Sequence, residues 1–437
     1  MKIKKNSTVY IGLTADSIHH GHMNLIEQGR KYGEITVGLL TDEAVADYKR
    51  IPYLNFEQRK KILLNIKGVI TVIPQKEYDY SKNIVKFKPN FMIHGDDWRQ
   101  GPDRTLRTNA IKALSKYGGK LIEVPYTKGI SSEALIKNQN LNLITSETRR
   151  GMLRRIINVK KISRFIEAHN PISALIAENT FVKKNNKNLS YDGFWSSSLT
   201  DSTSMGKPDN EYVDNSLRLT GVNHIFDVTS KPLIFDADTG GKKEHFEMKI
   251  KSIERLGISA AIIEDKTGLK KNSLHENTSN QTQENPNVFA EKISIGKKAQ
   301  VSDDFMIIAR IESFILNKNL KDAISRAHKY IEAGADGIMI HSKSKKPNEV
   351  FSFAKNFRKH YKNIPLICVP TTYNQVTEKQ LSDQGFNVVI YANHMLRASY
   401  PAMAKVAEQI LKNGRSKETD KDLISISKIL NLIPGTK

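Results

Sequence analysis

Between residues 164 and 393 a short apolar run that ends in polar residues recurs eight times: RFIEAHN, GFWSSS, PLIFDAD, AAIIEDK, MIIARIE, GIMIHS, PLICVP and VVIYAN. Helical patterns such as LKDAISRAHKYIEAG separate most of these runs. Eight strands alternating with helices over about 250 residues predict a (β/α)8 barrel, whose site lies at the C-terminal strand ends. Residues 8–136 alternate in the same way with five runs, TVYIGLTA, EITVGLLTD, VITVIPQ, FMIHGDD and KLIEVPYT, four of them rich in β-branched residues. The helical stretches between them include HMNLIEQGRKYG, FEQRKKILLNI and RTNAIKALSKYGG, the first and last closing at glycine. This half predicts an α/β, Rossmann-like doubly wound sheet with its chemistry at the strand C-termini. The 437 residues thus divide into a sheet domain at 1–140, a basic linker and helix at 141–163, a barrel at 164–415 and a helical tail at 416–437. The charge run of the linker, KNQNLNLITSETRRGMLRRIINVKKIS, reads as a solvated face.

Composition narrows the setting. Hydrophobic residues are 39% of the chain and charged residues 26%, and no uninterrupted apolar stretch is long enough to span a bilayer. The start, MKIKKNSTVYIGL, runs straight into a predicted strand without a cleavage site of small residues, which reads as a cytoplasmic protein. A single cysteine, Cys368, excludes an intramolecular disulfide framework and suits a buried thiol. The formal net charge of +22 asks for an anionic partner. Its basic residues are scattered among acidic ones, without a basic tail or a nucleic-acid-binding motif, so small phosphorylated substrates fit better than specific nucleic acid.

The first strand leads into DSIHHGH, which holds Asp16, His19, Gly21 and His22. A glycine lets the backbone approach a phosphate, a helix N-terminus favours anions, and imidazoles there can donate to a pentacoordinate phosphoryl centre. A metal-binding histidine cluster or a polar cap would use the same residues. The stretch resembles the HxGH signature of the cytidylyltransferase group within the nucleotidyltransferase superfamily. YTKGISS, Tyr126 to Ser132, resembles that group's RTxGISTT segment with tyrosine in place of the leading arginine, and HGDDW, His94 to Trp98, matches a strand end near the nucleotide. The resemblance implies CTP as co-substrate, with His19 and His22 binding its phosphates and stabilising the transition state. It also implies that Lys49 and Arg59 neutralise the triphosphate, and that Gly12, Asp16, Gly21, His94, Asp96, Gly129, Ile130 and Ser131 surround the nucleotide.

In the barrel half the charged strand ends make sense as one site. Asp236 and Asp238, with Glu264 and Asp265, supply carboxylates from adjacent strands, suited to a hard cation such as Mg2+. Arg310, His341 and Lys266 supply positive groups for a phosphate and a carboxylate, and Ser197 to Leu199 offer backbone N–H groups to an anionic oxygen. Alone, the decapeptide EDKTGLKKNS, Glu264 to Ser273, could be a charged loop; beside those strand ends it reads as part of the site. This half resembles phosphoenolpyruvate mutase, of the isocitrate lyase superfamily. EDKTGLKKNS matches the EDKxxxKxNS motif that marks the mutases, and the cysteine-containing loop of other lyases is absent near that point. HNPISALIAE from His169, WSSSL from Trp195, PDNE from Pro208, IARIES around Arg310, MIHSK around His341, VPTTY from Val369 and YANHMLRAS from Tyr391 match as well, while Ser198 stands where glycine is common.

The resemblance implies conversion of phosphoenolpyruvate to phosphonopyruvate, with Asp209 near the phosphoryl group as nucleophile or electrostatic guide. Asn272, Arg310 and His341 would hold that group, and Lys270 would reach in with a lid that includes HENTSNQTQENPN. Mg2+ on Asp236, Asp238 and Glu264 would hold the enolate oxygen and carboxylate, and Trp195, Ser197, Ser198, Leu199, Lys266 and Ser273 would contact substrate.

The two resemblances together imply a bifunctional enzyme of phosphonate biosynthesis, in the domain order of the fosfomycin-pathway fusion enzymes. The barrel would make the carbon–phosphorus bond, and the N-terminal domain would transfer CMP from CTP to 2-hydroxyethylphosphonate or 2-aminoethylphosphonate, releasing pyrophosphate. Two other readings use the same scaffold: a phosphonopyruvate hydrolase or C–C lyase, and a non-enzymatic nucleic-acid or regulatory binding protein. Barrels of this superfamily commonly exchange their last helix, which implies a homodimer or tetramer. The tail DLISISKILNLI is amphipathic enough to join that contact or to pack within one subunit.

Overall fold

The computed structural model describes residues 7–48, 51–100, 103–125, 145–184, 187–268, 270–274 and 281–433. The chain forms two compact units, Met1–Leu143 with Phe181–Leu189 and Ile144–Thr180 with Ser190–Lys437.

In the first unit the five expected strands are present: β1 (Thr8–Leu13), β2 (Glu34–Leu40), β3 (Val69–Gln75), β4 (Phe91–Gly95) and β5 (Lys120–Val124). All neighbours pair in parallel, in the order β3-β2-β1-β4-β5. Side chains alternate across the sheet, so Val9 and Ile11 pack with Ile26 and Leu63 on one face, while Tyr10 and Met92 pack with Ile84 and Ala110 on the other. With both faces covered by helices, the central strands read as nearly continuous apolar runs. The winding reverses between β1 and β4, and the crevice beyond their C-terminal ends is where sheets of this kind bind ligands.

The second unit is a closed barrel of eight strands: β6 (Ser163–Glu167), β7 (Gly193–Ser196), β8 (Leu233–Asp236), β9 (Ala260–Glu264), β10 (Met306–Ile311), β11 (Gly337–Ile340), β12 (Leu366–Cys368) and β13 (Val388–Tyr391). Each pairs in parallel with its sequence neighbours, and β13 closes on β6. These are the eight runs read from the sequence. Trp195, Ile234, Ala260, Ile262, Met306, Ile308 and Met339 fill the interior, whereas Phe235, Ala261, Ile263, Ile307 and Ala309 face the helices. Carried past the apolar layers, the same two-residue period directs Asp236, Glu264, Arg310 and His341 into the barrel mouth and Asp265 outward.

The described part of the basic segment is not a wholly solvated face. It forms the helix Ser146–Val159, which plugs the N-terminal end of the barrel: Leu153 and Ile157 join the interior cluster, and the main-chain oxygen of Arg149 accepts from Ser259 just before β9. Arg149 is buried over the Phe226 ring at 3.9 Å, Arg150 donates to the Glu254 carbonyl at 3.3 Å, and Arg154 pairs with Asp336 at 3.0 Å. At the other terminus the 20-residue helix His394–Asn413 buries none of its residues and exposes Tyr400, Met403 and Leu411. Among the described residues no helix is long and apolar enough to cross a membrane.

Candidate active sites

At the barrel mouth a polar cavity of about 50 Å3 is lined by Trp195, Ser197, Ser198, Leu199, Asp236, Glu264, Lys270, Asn272, Ser273, Arg310 and His341. The sequence motif around Lys270–Leu274 therefore covers the strand ends. Asp209, Asp238 and Lys266 do not line this cavity and stand behind it. Lys270 is the hub: its ammonium donates to Ser198 Oγ at 2.5 Å, to Asp209 Oδ1 at 3.0 Å and to Asp238. Burial opposes a charge there, but Asp238, Asp236, Glu264 and Asp209 outweigh it and hold the lysine pKa well above its ordinary range. Asn272 Nδ2 donates to the other oxygen of Asp209 at 2.8 Å. Despite burial, Lys270 and Asn272 keep the Asp209 pKa below the usual carboxylate value.

Three buried polar groups that line the cavity have no hydrogen-bond partner: the indole Nε1 of Trp195, Nδ1 of His341 and both oxygens of Glu264. Lys266 and Arg310 stand 3.4 and 3.3 Å from the Glu264 oxygens without bonding them, and burial raises the Glu264 pKa. Burial and the neighbouring Arg310 lower His341 to about 3, so its imidazole is neutral. Orphaned buried donors and acceptors that converge on one cavity are the mark of a missing polar ligand. The donor chemistry also fits a hard divalent cation, since the oxygens are carboxylates and those of Glu264 have no bond of their own. The expected trio is nevertheless not a preassembled cage. Among the described residues no three acidic, imidazole or thiol groups converge as metal ligands, and Lys270 holds Asp238 while Ser198 donates to Asp236.

Several expected placements change. Asp265 belongs outside the barrel, where Tyr330 at 2.7 Å, Gln283 at 2.8 Å and Arg326 at 3.1 Å donate to it and burial pushes its pKa up to about 7. Lys266 is buried and bonds the Lys271 carbonyl and Ser273 Oγ, which anchors the covering segment and leaves no open face toward substrate. The Ser198 backbone N–H, expected on a substrate anion, points to Asp236 Oδ2 at 3.3 Å.

Two buried residues complete the site without having been singled out in the sequence. Arg218 donates to Asp201 at 2.9 Å, to Asp238 at 3.1 Å and to the Asp236 carbonyl, which clamps the carboxylate pair from beneath. Its place inside the helix Asn215–Phe226 carries no sequence signal. Glu312 takes Arg310 Nε at 2.6 Å and, two residues along the same strand direction, was legible from parity alone. Asp238 has φ 56°, a left-handed conformation uncommon outside glycine and found at functional sites.

In the first unit His19 is the N-cap of the helix His20–Arg30, with Nδ1 accepting from the Gly21 N–H at 3.2 Å. His22 Nδ1 accepts from the His19 N–H at 3.3 Å, and the two ring centroids lie 4.0 Å apart with the planes tilted by 35°. Two Nδ1 acceptors imply neutral rings that carry their protons on Nε2, and burial and His20 lower the His19 pKa accordingly. Asp16 Oδ1 accepts from the Tyr53 N–H at 2.7 Å, and Ala15 has φ 53° at the same turn.

Other expected nucleotide contacts are committed elsewhere. Arg59 is wholly buried and donates to the Thr14 carbonyl at 2.5 Å, Asp42 at 2.6 Å and the Leu54 carbonyl at 3.1 Å, so it braces the turn and does not reach a triphosphate. Gly12 makes room for the Tyr80 ring, which a Cβ would meet at 2.2 Å. His94 stacks on Trp98 at 3.6 Å beside Asp96. Lys49, Tyr126, Gly129, Ile130 and Ser131 lie outside the described residues.

A family model described as "Phosphoenolpyruvate phosphomutase" matches residues 153–411, and one described as "Cytidylyltransferase-like" matches residues 10–138. The chain is 32% identical over 299 residues to a phosphoenolpyruvate phosphomutase of Tetrahymena pyriformis, covering 68% of this chain and 95% of that protein. It is 33% identical over 287 residues to a phosphonopyruvate hydrolase of Variovorax sp., covering 65% and 94%. Its N-terminal part is 28% identical over 142 residues to an ethanolamine-phosphate cytidylyltransferase of Arabidopsis thaliana, 31% of this chain and 33% of that protein. Among solved structures it resembles a phosphoenolpyruvate phosphomutase from Streptomyces platensis subsp. rosaceus, with TM-score 0.60, 33% identity and coverage of 65% and 94%. It also resembles a phosphonopyruvate hydrolase in complex with oxalate and Mg2+, with TM-score 0.58, 32% identity and the same coverage.

Proposed function

The chain belongs to the phosphoenolpyruvate phosphomutase family and joins that barrel to a cytidylyltransferase-like domain, and on this premise we propose that the barrel isomerises phosphoenolpyruvate to phosphonopyruvate. The observation that carries the proposal is the convergence of orphaned Trp195, His341 and Glu264 groups on one covered cavity beside Arg310. Neutral His341 would donate or accept a hydrogen bond but add no charge, which leaves Arg310 as the cation for the phosphoryl group, with the Asn272 amide beside it. Asp209, kept ionised by Lys270, is placed by Asn272 as nucleophile or electrostatic guide. Mg2+ held by Asp236, Asp238 and Glu264 would supply positive charge for the enolate oxygen and carboxylate. Segment Lys270–Leu274 supports isomerisation over hydrolysis, because a covered site keeps water from the migrating group.

In the first unit, the Nε2–H donors of His19 and His22 at a helix N-terminus support transfer of CMP from CTP to a phosphonate, with pyrophosphate released. The acceptor is 2-hydroxyethylphosphonate or 2-aminoethylphosphonate. The exposed apolar residues of the helix His394–Asn413 support a homo-oligomer built through the barrel.

The nearly equal identity to a phosphonopyruvate hydrolase favours one second reading, cleavage to pyruvate and phosphate. Phosphorus NMR of the protein with phosphonopyruvate and Mg2+ separates the two: phosphoenolpyruvate is the expected product, and phosphate with pyruvate alone would replace the isomerase by the hydrolase. Adding CTP and each phosphonate in turn should give pyrophosphate and a CMP-phosphonate with one of them.

A further inference from the structure

One hydroxyl joins the covering segment to the barrel. Ser273 Oγ accepts from Lys266 Nζ at 2.8 Å and from Arg310 Nη2 at 2.7 Å, and donates to the Glu312 carboxylate. Glu312 is wholly buried, takes Arg310 Nε at 2.6 Å and stands 3.3 Å from Lys266 Nζ. Arg310 lines the cavity and Glu312 does not, so the carboxylate works through its neighbours and not on substrate. The segment is pinned a second time by Lys270 and Asn272, which both bond Asp209. Removing either pin frees one side of the cover while the other still holds.

We propose that the Ser273–Glu312 pair is a latch that sets how the phosphoryl group partitions between carbon and water. The proposal rests on the isomerase reading above. In isomerisation the bridging P–O bond of phosphoenolpyruvate breaks and a P–C bond forms to the enolate carbon, with no atom added from outside. If water reaches phosphorus instead, its oxygen forms the new P–O bond, one of its protons goes to the enolate carbon, and the products are phosphate and pyruvate. From phosphonopyruvate the same water attack breaks the P–C bond and gives the same products. The cavity of about 50 Å3 has room for only a few waters, at roughly 10–15 Å3 of such volume for each. Water access during transfer thus depends on the segment remaining down, and charge-assisted bonds in a dry site are strong enough to hold it. Glu312 also fixes the Arg310 guanidinium, so the cover and the phosphoryl-binding cation are aligned by one carboxylate.

The test uses the full chain with phosphonopyruvate and Mg2+, following phosphoenolpyruvate and phosphate by phosphorus NMR and pyruvate by a coupled assay. Ser273→Ala and Glu312→Gln should raise the ratio of pyruvate to phosphoenolpyruvate by about tenfold or more, the effect of about 1.4 kcal/mol on competing barriers. Ser273→Thr, which keeps the hydroxyl, should return the ratio to that of the unmodified protein. Equal slowing of both products at an unchanged ratio, or a threonine variant that partitions like alanine, overturns the latch. If Glu312→Gln fails to fold, Ser273→Ala and its threonine rescue carry the same decision. The unmodified protein decides the isomerase reading separately: pyruvate and phosphate without phosphoenolpyruvate overturn both that reading and the latch, whereas phosphoenolpyruvate with unshifted variants overturns the latch alone.

Discussion

Lys270→Met should tighten divalent-cation binding in the substrate-free protein while it abolishes isomerisation. The lysine ammonium bonds Asp238 and Asp209, so a cation that recruits these oxygens must first displace it. Two hydrogen bonds to charged groups, at the lower end of about 1.5–3 kcal/mol each, amount to about 3 kcal/mol. At about 1.4 kcal/mol per tenfold this corresponds to roughly a hundredfold in affinity. Electron paramagnetic resonance titration with Mn2+ reads the free ion directly and needs no turnover. The measurement belongs near pH 8, where freed carboxylates stay ionised. Lys270→Arg keeps the charge and should bind Mn2+ like the unmodified protein. A methionine variant with an unchanged or weaker dissociation constant would show that Lys270 does not compete for these oxygens, and the account of the barrel mouth would fall.

Arg59→Met removes three donors from a wholly buried position and should cost about 3–5 kcal/mol, the range for breaking a buried pair. Calorimetry should show one transition shifted down by roughly 10 °C or more; a weaker CTP affinity at unchanged stability would restore the triphosphate role. His341, depressed to about 3, is neutral at every pH above that value and gains charge only in stronger acid. His341→Gln should therefore lower the isomerisation rate without removing any limb of the pH profile between pH 5 and 8, and loss of a limb near 6–7 would refute the assignment. His19→Asn supplies a good helix cap but no imidazole N–H, so helix stability should hold within about 1 kcal/mol while CMP transfer is lost; retained transfer would reduce His19 to a cap.

Strand parity explains what could be read directly from the chain. Once AAIIEDK is a strand of a barrel, Ile262 inside fixes Glu264 inside and Asp265 outside, and pairing the two as one carboxylate set conflicts with the pleat. The same rule applied to MIIARIE places Glu312 beside Arg310. Arg218 and Arg59 were opaque for a different reason: a buried arginine in a helix is defined by acceptors distant in sequence, and nothing local distinguishes it from a surface residue. Gly12 shows the same limit, since its need is set by the Tyr80 ring from another element and not by a turn.

The two candidate sites would meet a phosphate by different means. At the head of the helix His20–Arg30 the imidazoles lead: Nδ1 of His19 and of His22 each accepts a backbone N–H, which puts the ring proton on Nε2. At the barrel mouth the groups are charged and buried. Asp201, Asp209, Asp236, Asp238, Glu264 and Glu312 face Lys266, Lys270, Arg218 and Arg310, so carboxylates outnumber cations by two. A divalent cation would offset that formal difference. Removing any one partner leaves an uncompensated buried charge, which costs more than the pair is worth in place. Lys270 contributes to that balance from the covering segment and not from the barrel wall.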